Sequence, residues 1–165
     1  MLMRSHRLNL CLAALTLALI TPVTGLAQQT AAPKAGVTPA NPRTARFGVW
    51  DNATNPNNVM TYGPYETDGS KLTVSNPSNP AADWSYVTLF DGVFRPVTGQ
   101  TGAETAVEII NDKSIRISNK RNGVVTQVVI NTLSDDNNQI MNEYIRFDKD
   151  GKITGVTHVT YNRRK

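Results

Sequence analysis

The sequence predicts an all-β protein, a single antiparallel up-and-down β-barrel of about 8–10 strands. Short runs rich in Val, Ile, Thr and Tyr fill the chain after residue 43, and amphipathic windows with the helical period are absent. Four Asp-Gly or Asn-Gly pairs lie between these runs: Asp68-Gly69, Asp91-Gly92, Asn122-Gly123 and Asp150-Gly151. Such pairs favour tight hairpin turns. A long meander leaves two unpaired edges unless it closes, so a barrel is the favoured arrangement.

The first 27 residues have the pattern of a secretory signal peptide. Arg4 and Arg7 precede an apolar run over Leu8–Ile20, and small residues lead to a cleavage site after Ala27. The run is shorter than the about 20 residues that span a bilayer, so we expect no membrane span after cleavage. The product is predicted to be secreted or periplasmic; an uncleaved anchor is the alternative.

The rest of the chain divides into a leader and one domain. Residues 28–42 are rich in Ala, Pro, Gln and Thr and are predicted to be flexible, and residues 43–165 form the barrel domain. The only cysteine, Cys11, lies in the signal peptide, so neither a disulfide nor a cysteine metal site is expected. Without Arg4 and Arg7, 15 basic residues face 13 acidic ones, a charge too small to predict nucleic-acid binding.

Ten segments of the domain are candidate strands. They are Ala45–Asn52, Val59–Tyr65, Lys71–Ser75, Asp83–Phe90, Val93–Val97, Glu104–Asn111, Ser114–Lys120, Val124–Leu133, Gln139–Phe147 and Lys152–Asn162. Short turns between consecutive strands make them antiparallel neighbours. Alternation then places Ile115 and Ile117 on one face and Arg116 on the other. The same rule leaves open whether the interior is packed or holds a polar-edged cavity.

Five residues are candidates for a ligand pocket inside the barrel. Trp84 and Tyr86 share one face of their strand, with Phe90 beyond them, and aromatic side chains often line small-molecule sites. Tyr144 and Arg146 share a face of a later strand and could supply a polar anchor. Core packing for the aromatic residues and an outward direction for Arg146 are the alternatives.

Gly48-Val49-Trp50 on the first strand and Arg163 or Arg164 at the end of the last strand resemble the calycin pattern of lipocalins, fatty-acid-binding proteins and avidins. The resemblance implies that Trp50 closes one end of the barrel and that Arg163, in preference to Arg164, packs over its indole. The segments around Asp91–Gly99 and Glu104–Val125 are similar to a group of small exported bacterial proteins described as lipocalin-like. That likeness implies fold and location, and no particular ligand.

Other polar residues give weak signals for chemistry. His158 is the only histidine after the signal peptide, and no acid–base partner or metal cluster is evident near it, so no catalytic residue, metal or cofactor is predicted. Asp51 is expected near Arg163, in a structural ion pair or as a functional carboxylate. Lys113, Arg116, Lys120 and Arg121 are expected to form a solvated face, with an anionic partner as the alternative.

Together these features predict non-catalytic binding of a small apolar or amphipathic molecule inside the barrel. The alternative is a solid-core structural or interaction module of the cell envelope. A hydrolase-type enzyme ranks third because no nucleophile elbow is present. The sequence does not predict the oligomeric state.

Overall fold

The structure is a computed structural model that describes residues 41–165; the predictions for residues 1–40 lie outside the described part. The strands are β1 (Gly48–Asn52), β2 (Val59–Tyr65), β3 (Gly69–Ser75), β4 (Trp84–Thr88), β5 (Arg95–Pro96), β6 (Ala103–Ile109), β7 (Ser114–Arg121), β8 (Val124–Leu133), β9 (Gln139–Phe147) and β10 (Ile153–Arg163). A short 3-10 helix spans Pro80–Ala82. Among the described residues no helix is long and apolar enough to cross a membrane.

All ladders are antiparallel, and the strand order is β4-β3-β2-β1-β10-β9-β8-β7-β6-β5. The first and last strands pair with each other, with Trp50 opposite Arg163. This pairing brings the two ends of the meander together and curls the sheet into a nearly closed barrel. The predicted all-β, up-and-down barrel is confirmed.

The remaining gap lies between β4 and β5, where one pair of backbone hydrogen bonds joins Ser85 to Thr98 at 3.0 and 2.8 Å. The predicted hairpin at Asp91-Gly92 is wrong. The Asp91 carboxylate accepts from Arg95 at 2.7 Å, and its backbone bridges to Glu108. The strand predicted over Val93–Val97 is reduced to two residues, and Pro96 has no N–H to extend a ladder.

β4 is also shorter than predicted. It ends at Thr88, and Phe90 has a φ of 59° in the left-handed region. The Phe90 N–H donates to the Thr88 hydroxyl at 2.9 Å, which closes a local turn. The inward alternation of Trp84 and Tyr86 therefore does not extend to Phe90.

Turns alternate between the two ends of the barrel. We call the end that holds the start of β1, the end of β10 and the β8–β9 turn the closed end, and the opposite end, with the β7–β8 and β9–β10 turns, the open end. The inward apolar side chains of the closed half are almost completely buried: Trp50, Val107, Ile115, Leu133 and Ile140. Packing at this end fixes the barrel walls around the interior of the open half.

Candidate ligand-binding site

The open half of the barrel contains a cavity of about 330 Å³, so the interior is not filled by side chains. Of the five residues predicted to form a pocket, Trp84, Tyr86, Tyr144 and Arg146 line it. Phe90 does not line the cavity. It packs against the core beside the gap between β4 and β5. The early end of β4 explains why Phe90 lies apart from the cavity.

Apolar and aromatic side chains form much of the cavity wall. Met60, Leu72 and Val129 face it from three different strands. The rings of Trp84 and Tyr86 are stacked, with centroids 6.3 Å apart and planes 22° from parallel. These surfaces suit the apolar part of a small ligand.

A second cavity, of about 420 Å³, adjoins the first at the open end. The two share Trp84, Asn119, Gln127 and Arg146. Its wall is mostly polar and includes Glu104, Lys120 and Arg121 at the ends of β6 and β7. The two cavities together form a path from a polar mouth to an apolar interior.

Arg146 stands at this mouth. Its Nη1 donates to the Thr157 hydroxyl at 3.3 Å, and within residues 41–165 it has no carboxylate partner. The side chain is exposed, yet it borders both cavities. The guanidinium is thus available to a polar group at the entrance.

A buried arginine lies below the cavity. Arg46 precedes β1, is 1% exposed, and has no carboxylate partner among the described residues. Its Nη2 donates to the Lys113 and Asn131 carbonyls at 2.7 and 3.1 Å, and its Nη1 donates to the Pro42 carbonyl at 3.1 Å. Burial lowers the pKa of Arg46 from its ordinary value, although an arginine stays charged.

An amide relay connects this arginine to the cavity wall. Arg46 Nε donates to Asn131 Oδ1 at 2.7 Å, and Asn131 Nδ2 donates to Asn142 Oδ1 at 2.7 Å. Asn142 Nδ2 then donates to the Tyr144 hydroxyl at 3.0 Å. We use the name amide relay for Arg46, Asn131, Asn142 and Tyr144. Its last two members line the cavity.

Three more tyrosines face the cavity. Burial raises the pKa of Tyr62 to about 12 and also raises the pKa values of Tyr86 and Tyr161. The Tyr86 hydroxyl is buried and has no hydrogen-bond partner among residues 41–165. A buried hydroxyl without a partner costs free energy, so this atom is a candidate contact for a ligand.

At the closed end, the contact implied by the calycin resemblance is present. The Arg163 guanidinium lies 4.1 Å from the centre of the Trp50 ring. It also donates to the carbonyls of Ala45, Phe47 and Asn137 at 2.7, 2.6 and 2.8 Å. Trp50 is fully buried, and its indole N–H donates to the Arg46 carbonyl at 2.8 Å.

Asp51 is placed differently from the prediction. It pairs with Arg164 rather than Arg163, with Arg164 Nε donating to Asp51 Oδ2 at 2.9 Å. Trp50 points inward, so its neighbour Asp51 points outward, and Arg164 is the adjacent outward base. The Arg164 guanidinium lowers the pKa of the Asp51 carboxyl. This ion pair is exposed and lies outside the cavity.

The remaining sequence candidates lie outside the first cavity, and of these Lys120 and Arg121 border the second cavity at the mouth. His158 Nε2 is 3.0 Å from Glu143 Oε2 on the solvent face of β9 and β10. Arg116 pairs with Glu108 on the outside of β6 and β7, with Arg116 Nε 2.9 Å from Glu108 Oε2. Lys120 Nζ lies 3.6 Å from the centre of the Phe94 ring. None of these ion pairs faces the first cavity.

Arg46, Asn131 and Asn142 were not among the site residues predicted from the sequence. A signal for the two asparagines was present, because alternation places them on the inward face between Val129 and Leu133 and between Ile140 and Tyr144. Polar residues at inward positions of apolar strands indicate a buried network. Arg46 precedes the ladder, so no alternation could show its direction.

No family model and no curated protein matches the chain. The wild-type fluorescent protein UnaG is 12% identical with a TM-score of 0.52, over 72% of this chain and 96% of UnaG. A Schistosoma mansoni fatty acid binding protein in complex with arachidonic acid is 9% identical with a TM-score of 0.56, over 76% of this chain and 100% of the other.

These likenesses identify the architecture as a calycin-type barrel. At such low identity they show the fold alone. The site must therefore be interpreted from its own residues.

Proposed function

We propose that the protein binds a small apolar or amphipathic molecule inside its barrel and performs no chemistry on it. The observation that carries the proposal is the cavity of about 330 Å³, lined by apolar and aromatic side chains. Such sites bury most of a small ligand and orient it with a few polar groups.

The distribution of polarity supports an amphipathic ligand. Leu72 and Val129 offer apolar surface in the interior, while Arg146 at the mouth and Tyr144 on the wall offer hydrogen-bond donors. A similarly folded solved structure is that of a fatty acid binding protein in complex with arachidonic acid. We carry over from it only the idea that a barrel of this shape can enclose such a molecule.

We further propose that the chain is exported after cleavage near Ala27. The support is the sequence pattern of residues 1–27. N-terminal sequencing of the protein recovered from a periplasmic or culture-medium fraction would test this. Recovery with residue 1 intact, inside cells, would contradict it.

The two alternatives have less support. A solid-core interaction module needs a filled interior, and the cavity argues against it. A hydrolase needs a base beside a bound substrate, whereas His158 faces outward and pairs with Glu143.

Native mass spectrometry of the gently purified mature protein tests the binding proposal. We expect an adduct that disappears on denaturation, together with binding of Nile red, an uncharged apolar fluorophore. The absence of both would contradict the proposal.

A matched pair of variants localises the binding. Val129 is buried and faces the cavity, while Val128, its neighbour on β8, points to the outside. Val129→Trp should fill the cavity and lower Nile red affinity at least about tenfold, a loss of about 1.4 kcal/mol in binding free energy. Val128→Trp should bind the dye normally. Thermal melting must show that both variants fold.

A further inference from the structure

The amide relay has a direction that chemistry fixes. Arginine only donates hydrogen bonds, so the oxygen of Asn131 must face Arg46 Nε, 2.7 Å away. The amide nitrogen of Asn131 must then face Asn142, whose nearest atom at 2.7 Å is consequently its oxygen. The orientation of both amides follows from the buried cation.

The orientation of Asn142 also fixes the direction of its hydrogen bond to Tyr144 on the cavity wall. Since its oxygen accepts from Asn131, Asn142 presents its nitrogen to Tyr144, 3.0 Å away. The Tyr144 oxygen therefore accepts, and its single proton is left to donate elsewhere. Within residues 41–165 this proton has no hydrogen-bond acceptor, and Tyr144 lines the cavity. The relay thus turns a donor toward the ligand.

A second, independent observation indicates the same polarity. The Tyr86 hydroxyl is buried, lies on the cavity wall and has no hydrogen-bond partner among the described residues. Tyr62, also on the wall, accepts a long hydrogen bond from Asn131 at 3.5 Å, and its hydroxyl adjoins that of Tyr86. Arg46 adds a buried positive charge below these hydroxyls, with no carboxylate partner in the described chain. One buried acceptor on the wall, Asn58 Oδ1 just before β2 at the open end, also has no partner among the described residues. The tyrosine hydroxyls without an acceptor therefore outnumber the wall acceptors without a donor.

We infer that the ligand inserts a hydrogen-bond acceptor, a carbonyl or carboxylate oxygen, into the interior, where the hydroxyls of Tyr86 and Tyr144 donate to it. This inference rests on the proposed binding function and specifies the chemistry of the ligand's inner end. A ligand whose inner end only donates hydrogen bonds, such as an ammonium group, is disfavoured. It would face the Tyr144 hydroxyl, which also donates, and it would be repelled by the buried charge of Arg46. Arg146 at the mouth then contacts whatever part of the ligand remains outside.

The test uses three probes of similar chain length: 2-undecanone, a neutral acceptor; decanoate, an anionic acceptor; and decylammonium, a donor. Isothermal titration calorimetry on the mature protein, purified from expression of the full chain, measures each affinity. We expect 2-undecanone and decanoate to bind at least about tenfold more tightly than decylammonium, the scale of one or two buried hydrogen bonds.

Tyr144→Phe removes the donor at the end of the relay. It should weaken 2-undecanone and decanoate about tenfold and leave decylammonium unchanged. Tyr65→Phe, the same change at a tyrosine of β2 that lines neither cavity, is the matched control and should leave all three affinities within about twofold. Circular dichroism melting checks that each variant folds.

The outcomes separate this inference from the binding proposal. If all three probes bind equally, the barrel binds ligands but the inference is wrong. It is equally wrong if Arg146→Met, and not Tyr144→Phe, weakens the two acceptor probes, because their oxygens then lie at the mouth. If no probe and no dye binds, both proposals fail.

A second variant reverses the relay. In Asn142→Asp, a carboxylate accepts from both Asn131 and Tyr144, so the Tyr144 proton turns away from the cavity. The preference should shift toward decylammonium by more than tenfold. Asn119→Asp places the same charge on the cavity wall outside the relay and should produce a smaller shift. Equal shifts in the two variants would overturn the directional relay and leave only a charge effect.

Discussion

Each end of the barrel holds a tryptophan with an arginine near it, Trp50 with Arg163 and Trp84 with Arg146, but the two pairs have different surroundings. At the closed end, Arg163 stacks over the fully buried Trp50 and donates to three carbonyls. At the open end, Trp84 and Arg146 border empty volume, and Arg146 makes one long hydrogen bond. The difference shows that residue type alone does not indicate the role of these side chains. Their role depends on how completely the protein already supplies their hydrogen bonds and packing contacts.

A side chain whose hydrogen bonds are made within the protein stabilises the fold, whereas one that lacks partners is available to a ligand. All three guanidinium nitrogens of Arg163 donate to protein carbonyls, so a ligand would have to compete with bonds that are already formed. The open end keeps apolar surface, tyrosine hydroxyls and a guanidinium without full partners. Substitutions at the closed end should therefore lower stability, and substitutions at the open end should lower ligand affinity.

The largest effect is expected from the two tryptophans. Trp50→Ala removes a fully buried aromatic side chain and should lower the free energy of unfolding by about 3–5 kcal/mol. Trp84→Ala removes a half-buried ring beside an existing cavity and should cost only about 1 kcal/mol. Urea unfolding followed by circular dichroism gives both values. Equal losses would contradict the division into a structural and a binding end.

Substitutions of the two arginines should also lower the free energy of unfolding more at the closed end than at the open end, but the difference should be smaller than for the tryptophans. Arg163→Met loses the indole contact and leaves carbonyls unpaired, so we expect a loss of about 2–3 kcal/mol in unfolding free energy. Arg146→Met should change it by no more than about 0.5 kcal/mol. The same urea experiment measures both. A large stability loss from Arg146→Met would show that the mouth arginine holds the fold.

The smallest effect concerns alkaline pH. Burial raises the pKa of Tyr62 to about 12 and also raises that of Tyr86 above its ordinary value near 10. Between these pH values the unfolded chain has lost protons that the folded barrel keeps, so stability, fully present below pH about 10, should fall as the pH rises toward 12.

Tyr62→Phe removes one of these titrations, so its stability should fall less steeply in that range. Unfolding midpoints in urea, measured as a function of pH, with phenolate absorbance as the marker of ionisation, would show this. An unchanged slope in the variant would contradict a buried, protonated Tyr62.

Local rules predicted most of the fold because the strands obey them. Asn122-Gly123 was expected to make a tight turn, and both residues have positive φ, 51° and 80°. Strict alternation along β9 put Tyr144 and Arg146 on one face, and both line the cavity. Where the chain keeps to a regular ladder, the pattern of side chains alone indicates the interior.

The rest depended on contacts between distant parts of the chain. Arg46 lies 85 residues from Asn131 in sequence, so nothing local reveals that they meet. Phe90 has a left-handed backbone conformation, which is uncommon for a phenylalanine and could not be predicted from its residue type. This conformation ends β4 early. The partner of Asp51 depended on which face Arg164 takes after the last strand pairs with the first.

The pairing of β1 with β10 has a further consequence for engineering. The first and last strands are neighbours at the closed end, so a short linker could join them without crossing the mouth. New termini could then be opened between β4 and β5, where one pair of backbone hydrogen bonds holds the sheet together. Such a circular permutant would give up few ladder contacts and would place its free ends at the weakest joint of the barrel.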